Sequence, residues 1–231
     1  MTARHVVESA ADLFARVQTG PNTQDYAVLT LPRSLWIFHP APSPQGRFPI
    51  DVAVMQITDR PFIKSFPHCP SGGKDGECGR DEKTKKPLEN QVLGSPSVLE
   101  RAIFLGFPEG EVATNSLEPL ARSGLVAYTA PNPDLKIDGT PVTSDSIYLL
   151  DATSLRGNSG GPVVREILPL IDGVQLWGLV TGSSQLGRNY AIVTRTEKIT
   201  ETLAYARTVA KPNDQWSTKV PSLPLRCDPG K

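Results

Sequence analysis

The sequence has little of what many protein frameworks require. It holds three cysteines in 231 residues, too few and odd in number for a disulfide scaffold. It has no charge excess: 24 Lys and Arg balance 24 Asp and Glu, which argues against a basic surface that tracks nucleic acid. It has no long apolar run. Stretches such as the six residues 102–107 fall far short of the roughly 20 needed to cross a bilayer. The N-terminal segment MTARHVVESAADLF lacks an apolar signal core and a small-residue cleavage site, so no secretory signal is visible there. No internal repeat stands out, which disfavours a propeller or solenoid. Histidine is scarce too. His5, His39 and His68 are the only candidates for any mechanism that needs an imidazole base.

What is present is turn chemistry. The 19 Gly and 22 Pro punctuate short runs of Val, Ile, Leu and Thr, a pattern of all-β sandwiches and barrels rather than alternating strands and helices. Strands are expected over 27–31, 35–39, 52–57, 102–107, 124–129, 147–150, 162–165, 175–181 and 190–194. Two helices are expected. One spans residues 5–14, where the apolar period is nearer 3.6 than 2. The other opens with capping-box spacing between Thr194 and Glu197, and Ile199, Leu203 and Ala206 then recur on one face up to Thr208. The stretch from Phe66 to Pro96 is long for a loop inside a compact domain, and such loops are usually functional or mobile. Lys211 to Lys231 reads as a polar, proline-containing tail.

The segment Gly157-Asn158-Ser159-Gly160-Gly161-Pro162 is the most informative in the chain. A nucleophilic serine needs its hydroxyl on a tight turn beside backbone N–H groups free to bind an oxyanion, and the flanking glycines allow that path. The bland alternative is a glycine-rich hairpin turn. The same residues also match the nucleophile elbow of α/β-hydrolases, which needs a helix after the serine and the chain order Ser, acid, His. Here Pro162-Val163-Val164 reads as strand and no histidine follows Ser159, so that reading fails. Upstream, Thr2-Ala3-Arg4-His5 supplies an imidazole and Asp51-Val52-Ala53-Val54 a carboxylate at the mouth of an apolar strand, able to accept Nδ1–H. Asp25 and Asp59 are the fallback acids. His5, Asp51 and Ser159 occur in chymotrypsin order.

On these segments the sequence resembles trypsin-like serine proteases of the chymotrypsin fold, in flavour the bacterial trypsin-like and HtrA-type peptidases. Phe104-Leu105-Gly106-Phe107-Pro108 is similar to the segment that begins the second barrel of bacterial members, and Leu176 to Gly182 to the strand beside the substrate. The resemblance implies an all-β, chymotrypsin-like double β-barrel with a C-terminal helix. It divides the chain into an incomplete N-terminal barrel over 1–98 with an insertion at 66–96, a second barrel and helix over 99–208, and a tail over 209–231. It further implies a serine endopeptidase acting on a protein or peptide through an acyl-enzyme, without cofactor or metal.

In that scheme Ser159 is the nucleophile, His5 the base and Asp51 the residue that orients it. Gly157 and Ser159 donate the oxyanion-hole N–H groups. Thr153, Thr181, Gly182, Ser183 and Tyr190, with Asn189 beside it, surround the P1 side chain. No carboxylate falls at the base of that pocket, so an uncharged, small-to-medium P1 residue is expected. Asn158 carries no charge and cannot form the ion pair with a freshly cut N-terminus that digestive trypsins use. The catalytic histidine of this fold normally follows several strands, whereas His5 has four residues before it; the resemblance therefore implies a chain truncated ahead of His5, with Met1 where a strand residue usually stands. For the cysteines three readings stay open: a Cys69–Cys78 disulfide, free thiols, or a zinc site of His68, Cys69, Cys78 and Cys227.

Overall fold

The computed structural model describes residues 1–10, 13–18, 26–41, 50–55, 94–108, 119–130, 136–137, 139–142, 145–165, 175–184 and 190–209. The chain opens with a short helix α1 (Arg4–Ser9), a hairpin of β1 (Leu13–Gln18) and β2 (Tyr26–Leu31), and a second antiparallel pair, β3 (Ile37–Phe38) and β4 (Ala53–Val54). Then follow β5 (Arg101–Gly106), β6 (Leu120–Tyr128), a small pair β7 (Lys136–Ile137) and β8 (Thr140–Pro141), β9 (Ile147–Asp151), β10 (Pro162–Arg165), β11 (Leu176–Ser184), β12 (Tyr190–Arg195) and the helix α2 (Thr196–Val209). The molecule is mostly β, as the turn-punctuated sequence implies.

Its centre is a closed antiparallel barrel of six strands in the order β10-β11-β12-β9-β6-β5. Period-two burial builds it. Ala102 and Phe104 of β5, Tyr148 and Leu150 of β9, and Ala191 and Val193 of β12 are buried, and they meet Val126, Val163, Trp177 and Val180 in one core. Strand β11 is buried on both faces. Trp177 and Val180 fill the barrel, while Leu179 packs outside it with Ile199 of α2, with Val54 of β4 and with Val52 just before it. Helix α2 thus lies between the barrel wall and the N-terminal strands and joins them.

Polar contacts fix the same joint. The Thr196 hydroxyl donates to Gly94 O at 3.0 Å and Ser95 Oγ donates to Glu197 Oε1 at 2.5 Å, tying the segment before β5 to the start of α2. His39 is buried: its backbone N–H donates to Val52 O at 3.2 Å, Nδ1 accepts the Ala41 N–H at 3.1 Å, and Nε2 lies 2.9 Å from Glu201 Oε2 on α2. Partial burial pushes the Glu201 carboxyl up, but hydrogen bonds from Lys198 and His39 outweigh it and hold the group below the usual range. His39, with no chemical part assigned by its position in the sequence, is a pin between a loop and a helix.

The observed strands match the expected ones within a few residues, and 162–165 agrees at both ends. Three expectations need correction. The first helix stops at Ser9, and Leu13–Gln18 is a strand registered against Tyr26–Leu31; pairing with the next strand overrides the local period. Thr194 is no helix cap. It lies in β12 with its hydroxyl donating to Thr181 Oγ1 at 3.1 Å, and α2 starts two residues later. The buried stripe of α2 runs through Thr196, Ile199 and Thr202 with Ala206 beside it, leaving Leu203 39% exposed. Thr202 tolerates burial because its hydroxyl donates to Lys198 O at 2.7 Å within the helix.

Candidate active site

Helix α1 begins without a cap of its own, because Ala3 at the N-cap has no side-chain acceptor. Asp51 supplies one from across the fold. Its Oδ1 accepts the His5 backbone N–H at 2.8 Å, one of the donors that every helix start leaves unsatisfied. Its Oδ2 lies 2.5 Å from His5 Nδ1. An ionised carboxylate can only accept, so Nδ1 carries the proton, and in the neutral ring Nε2 keeps its lone pair. The hydrogen bond to Asp51 raises the His5 pKa above its ordinary value against the opposing pull of burial, and the charges of Asp51 and Glu8 add to the rise.

Thr2 and Ala53 exchange two backbone hydrogen bonds at 2.9 Å, setting the start of α1 beside β4, which Asp51 precedes by one residue. Arg4 pairs with Glu8 at 2.8 Å and lies over the Phe38 ring at 4.9 Å. Val7 is fully buried.

The Ser159 loop connects β9 to β10, strands that are not neighbours, and so crosses one end of the barrel. Two of its residues are in the left-handed region, Gly157 at φ 90° and Gly160 at φ 84°, where glycine is the unstrained choice. Gly160 also stands directly against the N-terminal segment: a Cβ there would fall 3.1 Å from Thr2 Cβ and 3.2 Å from Ala3 N. The residue after Ser159 therefore touches the residues just before His5, which sets the Ser159 loop against the segment that leads into α1.

Around Ser159 the backbone donors divide. The N–H groups of Asn158, Gly160 and Gly161 donate to Leu155, Val180 and Asn158 carbonyls at 3.2, 2.7 and 2.9 Å, while among the described residues no backbone carbonyl accepts from Gly157 or Ser159. Asn158 is buried to 1% exposure, packs on Gly106, and its Nδ2 has no partner among the described residues. An uncharged amide suits that setting, where an aspartate would need a cation.

The expected pocket residues gather at the same barrel end. Tyr190 is paired with Asp151 on β9 and with Ser184 on β11, and exposed Thr153 follows β9 directly. The β11–β12 register shifts between Val180 and Gly182, which makes Thr181 a bulge; its hydroxyl reaches Ile192 O at 3.4 Å. Ladder pairing between β10 and β11 ends at Leu179. Beyond the Val180 bonds to the nucleophile loop, Gly182 and Ser183 pair only with β12 among the described residues. This one-sided edge beside Ser159, like the Asp51 cap on α1, has no signature in the sequence, because both arise from residues far apart in the chain.

Asn189, Asp25, Asp59, His68, Cys69, Cys78 and Cys227 lie outside the described residues, as do most of the 66–96 segment and positions 210–231. Among the described residues no cluster of His, Cys, Asp and Glu could hold a metal ion, and no helix is long and apolar enough to cross a membrane.

No family model matches the chain, and no curated protein matches it. Among solved structures it is similar to Rv3671c of M. tuberculosis H37Rv in the inactive form of a serine-to-alanine mutant, at 18% identity over 51% of this chain and 52% of that one with a TM-score of 0.38. It is also similar to an inactive form of the Rv3671c protease, at 20% identity over 48% of this chain and 51% of that one with a TM-score of 0.36. The chain spans about half the length of these structures.

Proposed function

We propose that the chain is a serine endopeptidase. The observation that carries this reading is the double engagement of Asp51 with His5, beside a Ser159 loop whose Gly160 rests on Thr2 and Ala3. In the proposed reaction Ser159 Oγ attacks the scissile carbonyl while His5 Nε2 takes its proton. The Gly157 and Ser159 N–H groups hold the oxyanion, and His5 then protonates the leaving amine. Water repeats the sequence to release the acid. Each oxyanion donor contributes about 2.7–4 kcal/mol to such a transition state.

The one-sided edge at Gly182 and Ser183 supports binding the substrate as an added strand, in which main-chain hydrogen bonds give affinity and side-chain pockets give specificity. Thr153, Thr181 and Tyr190 bring no charge to the P1 pocket, so an uncharged, small-to-medium side chain is the proposed preference. The same edge would serve a protease-like module that binds peptides without cutting them.

A fluorophosphonate probe separates the two. The peptidase acquires one covalent label, at Ser159, which the Ser159→Ala variant loses together with a turnover advantage on the order of 10⁶-fold. A folded wild-type chain that takes no label at Ser159 is the binding module.

A further inference from the structure

Strand β10 lies between β5 and β11 in the barrel, so the Ser159 loop that leads into it has two flanks. On one side Val180 of β11 exchanges backbone hydrogen bonds with Gly160 and Gly161; beyond it lies the edge proposed to receive residues before the scissile bond. On the other side is the end of β5. A Cβ on Gly161 would strike Leu105 O, and the Phe107 N–H donates to Gly157 O at 3.4 Å. Phe107 is thus bonded to the glycine whose own N–H is proposed to hold the oxyanion, and 48% of its surface is exposed.

We propose that Phe107 is a specificity-determining residue, an apolar platform for one of the first two substrate residues after the scissile bond. This rests on the peptidase reading. A peptide held on β11 on one side of Ser159 must continue past the nucleophile toward the β5 side, and an extended chain advances about 3.3 Å per residue, so its next residues reach the neighbourhood of Gly157 and Phe107. An aromatic face gains by covering an apolar side chain, and gains nothing from an acidic one.

The test compares two substrates with identical residues before the scissile bond: a peptide with leucine at both following positions, and a p-nitroanilide, which has no amino acid there. Phe107→Ala should lower the ratio of kcat/KM for peptide over anilide by on the order of tenfold, while Phe107→Leu keeps it within about threefold of wild type. A peptide library cut by the wild-type chain should show apolar residues favoured over acidic ones at one of those two positions. An unchanged ratio in a Phe107→Ala variant that still labels at Ser159 overturns the inference and leaves the peptidase reading standing, and so does a library profile without apolar preference. A wild-type chain with no label at Ser159 overturns both.

Discussion

The Ser159 half of the candidate site and the His5–Asp51 half are held in different ways. Ser159 hangs from a closed barrel whose six strands share one core of ten buried residues. Among the described residues the other half rests on two-residue strands, a backbone bridge at Thr2 and Ala53, a six-residue helix, and a carboxylate that caps it. Isolated pairs of that size are marginal in water. Ser159 is therefore placed by local rigidity, whereas among the described residues His5 and Asp51 are placed by long-range contacts, chiefly α2 packed on Val52 and Val54 and His39 bonded to Glu201. Chemistry at such a site would depend on an interface, so variants of the two halves should fail differently.

Within the His5–Asp51 half, the largest effect is expected at the link itself. In Asp51→Asn the amide oxygen can still cap the His5 N–H, but the amide nitrogen then points a donor at Nδ1. The imidazole responds by moving its proton to Nε2, which removes the base. Turnover should fall by about 10⁴-fold with the helix still capped and the barrel unaffected. Kinetics give the first part, and ¹⁵N imidazole shifts reporting the tautomer give the second. A variant that keeps Nδ1 protonated and yet loses activity would mean that Asp51 acts in some way other than setting the tautomer.

A smaller change probes the joint itself. Ile199 is fully buried where α2 meets Leu179, Val52 and Val54. Ile199→Ala should cost about 2–5 kcal/mol, and the loss should be uneven. Hydrogen exchange is expected to accelerate at Thr2 and Ala53, whose amides bond each other's carbonyls, before it does at β5, β6 and β9. Equal acceleration throughout would show one cooperative unit and end the distinction between a firm half and a tethered one.

The same contrast governs what could be read from the residues. Barrel strands were legible because buried and exposed positions alternate in short runs between turns, as in Ile147–Asp151 and Pro162–Arg165. Ser159, His5 and Asp51 were legible as residue types in order, and the structure pairs the last two. Tertiary choices were not. Leu13–Gln18 takes its state from a partner strand, Thr194 gives its hydroxyl to a neighbouring strand instead of a helix, and Thr202 replaces Leu203 in the buried stripe. The contact of Gly160 with Thr2 and Ala3 joins residues at opposite ends of the site, and no local pattern announces it.

The smallest effect is a pH displacement. The hydrogen bond to Asp51 raises the His5 pKa above its ordinary value near 6.5, and burial only partly offsets it. General base catalysis needs the neutral ring, so kcat/KM should climb with pH along an acid limb centred above 6.5. Stability runs the other way. A group with a raised folded pKa stabilises the fold most below its unfolded pKa and loses that contribution as pH rises through the folded one. With the His5 side chain 49% exposed, the contribution is small, so the denaturation midpoint should drift down only slightly while activity rises. In Asp51→Asn the residual activity should titrate closer to 6.5, because the charge that favoured the imidazolium is gone. An acid limb at or below 6.5 in the wild-type chain would mean that the pair seen between His5 and Asp51 does not persist in the working enzyme, and with it would go the view that the tethered half is held in place before substrate arrives.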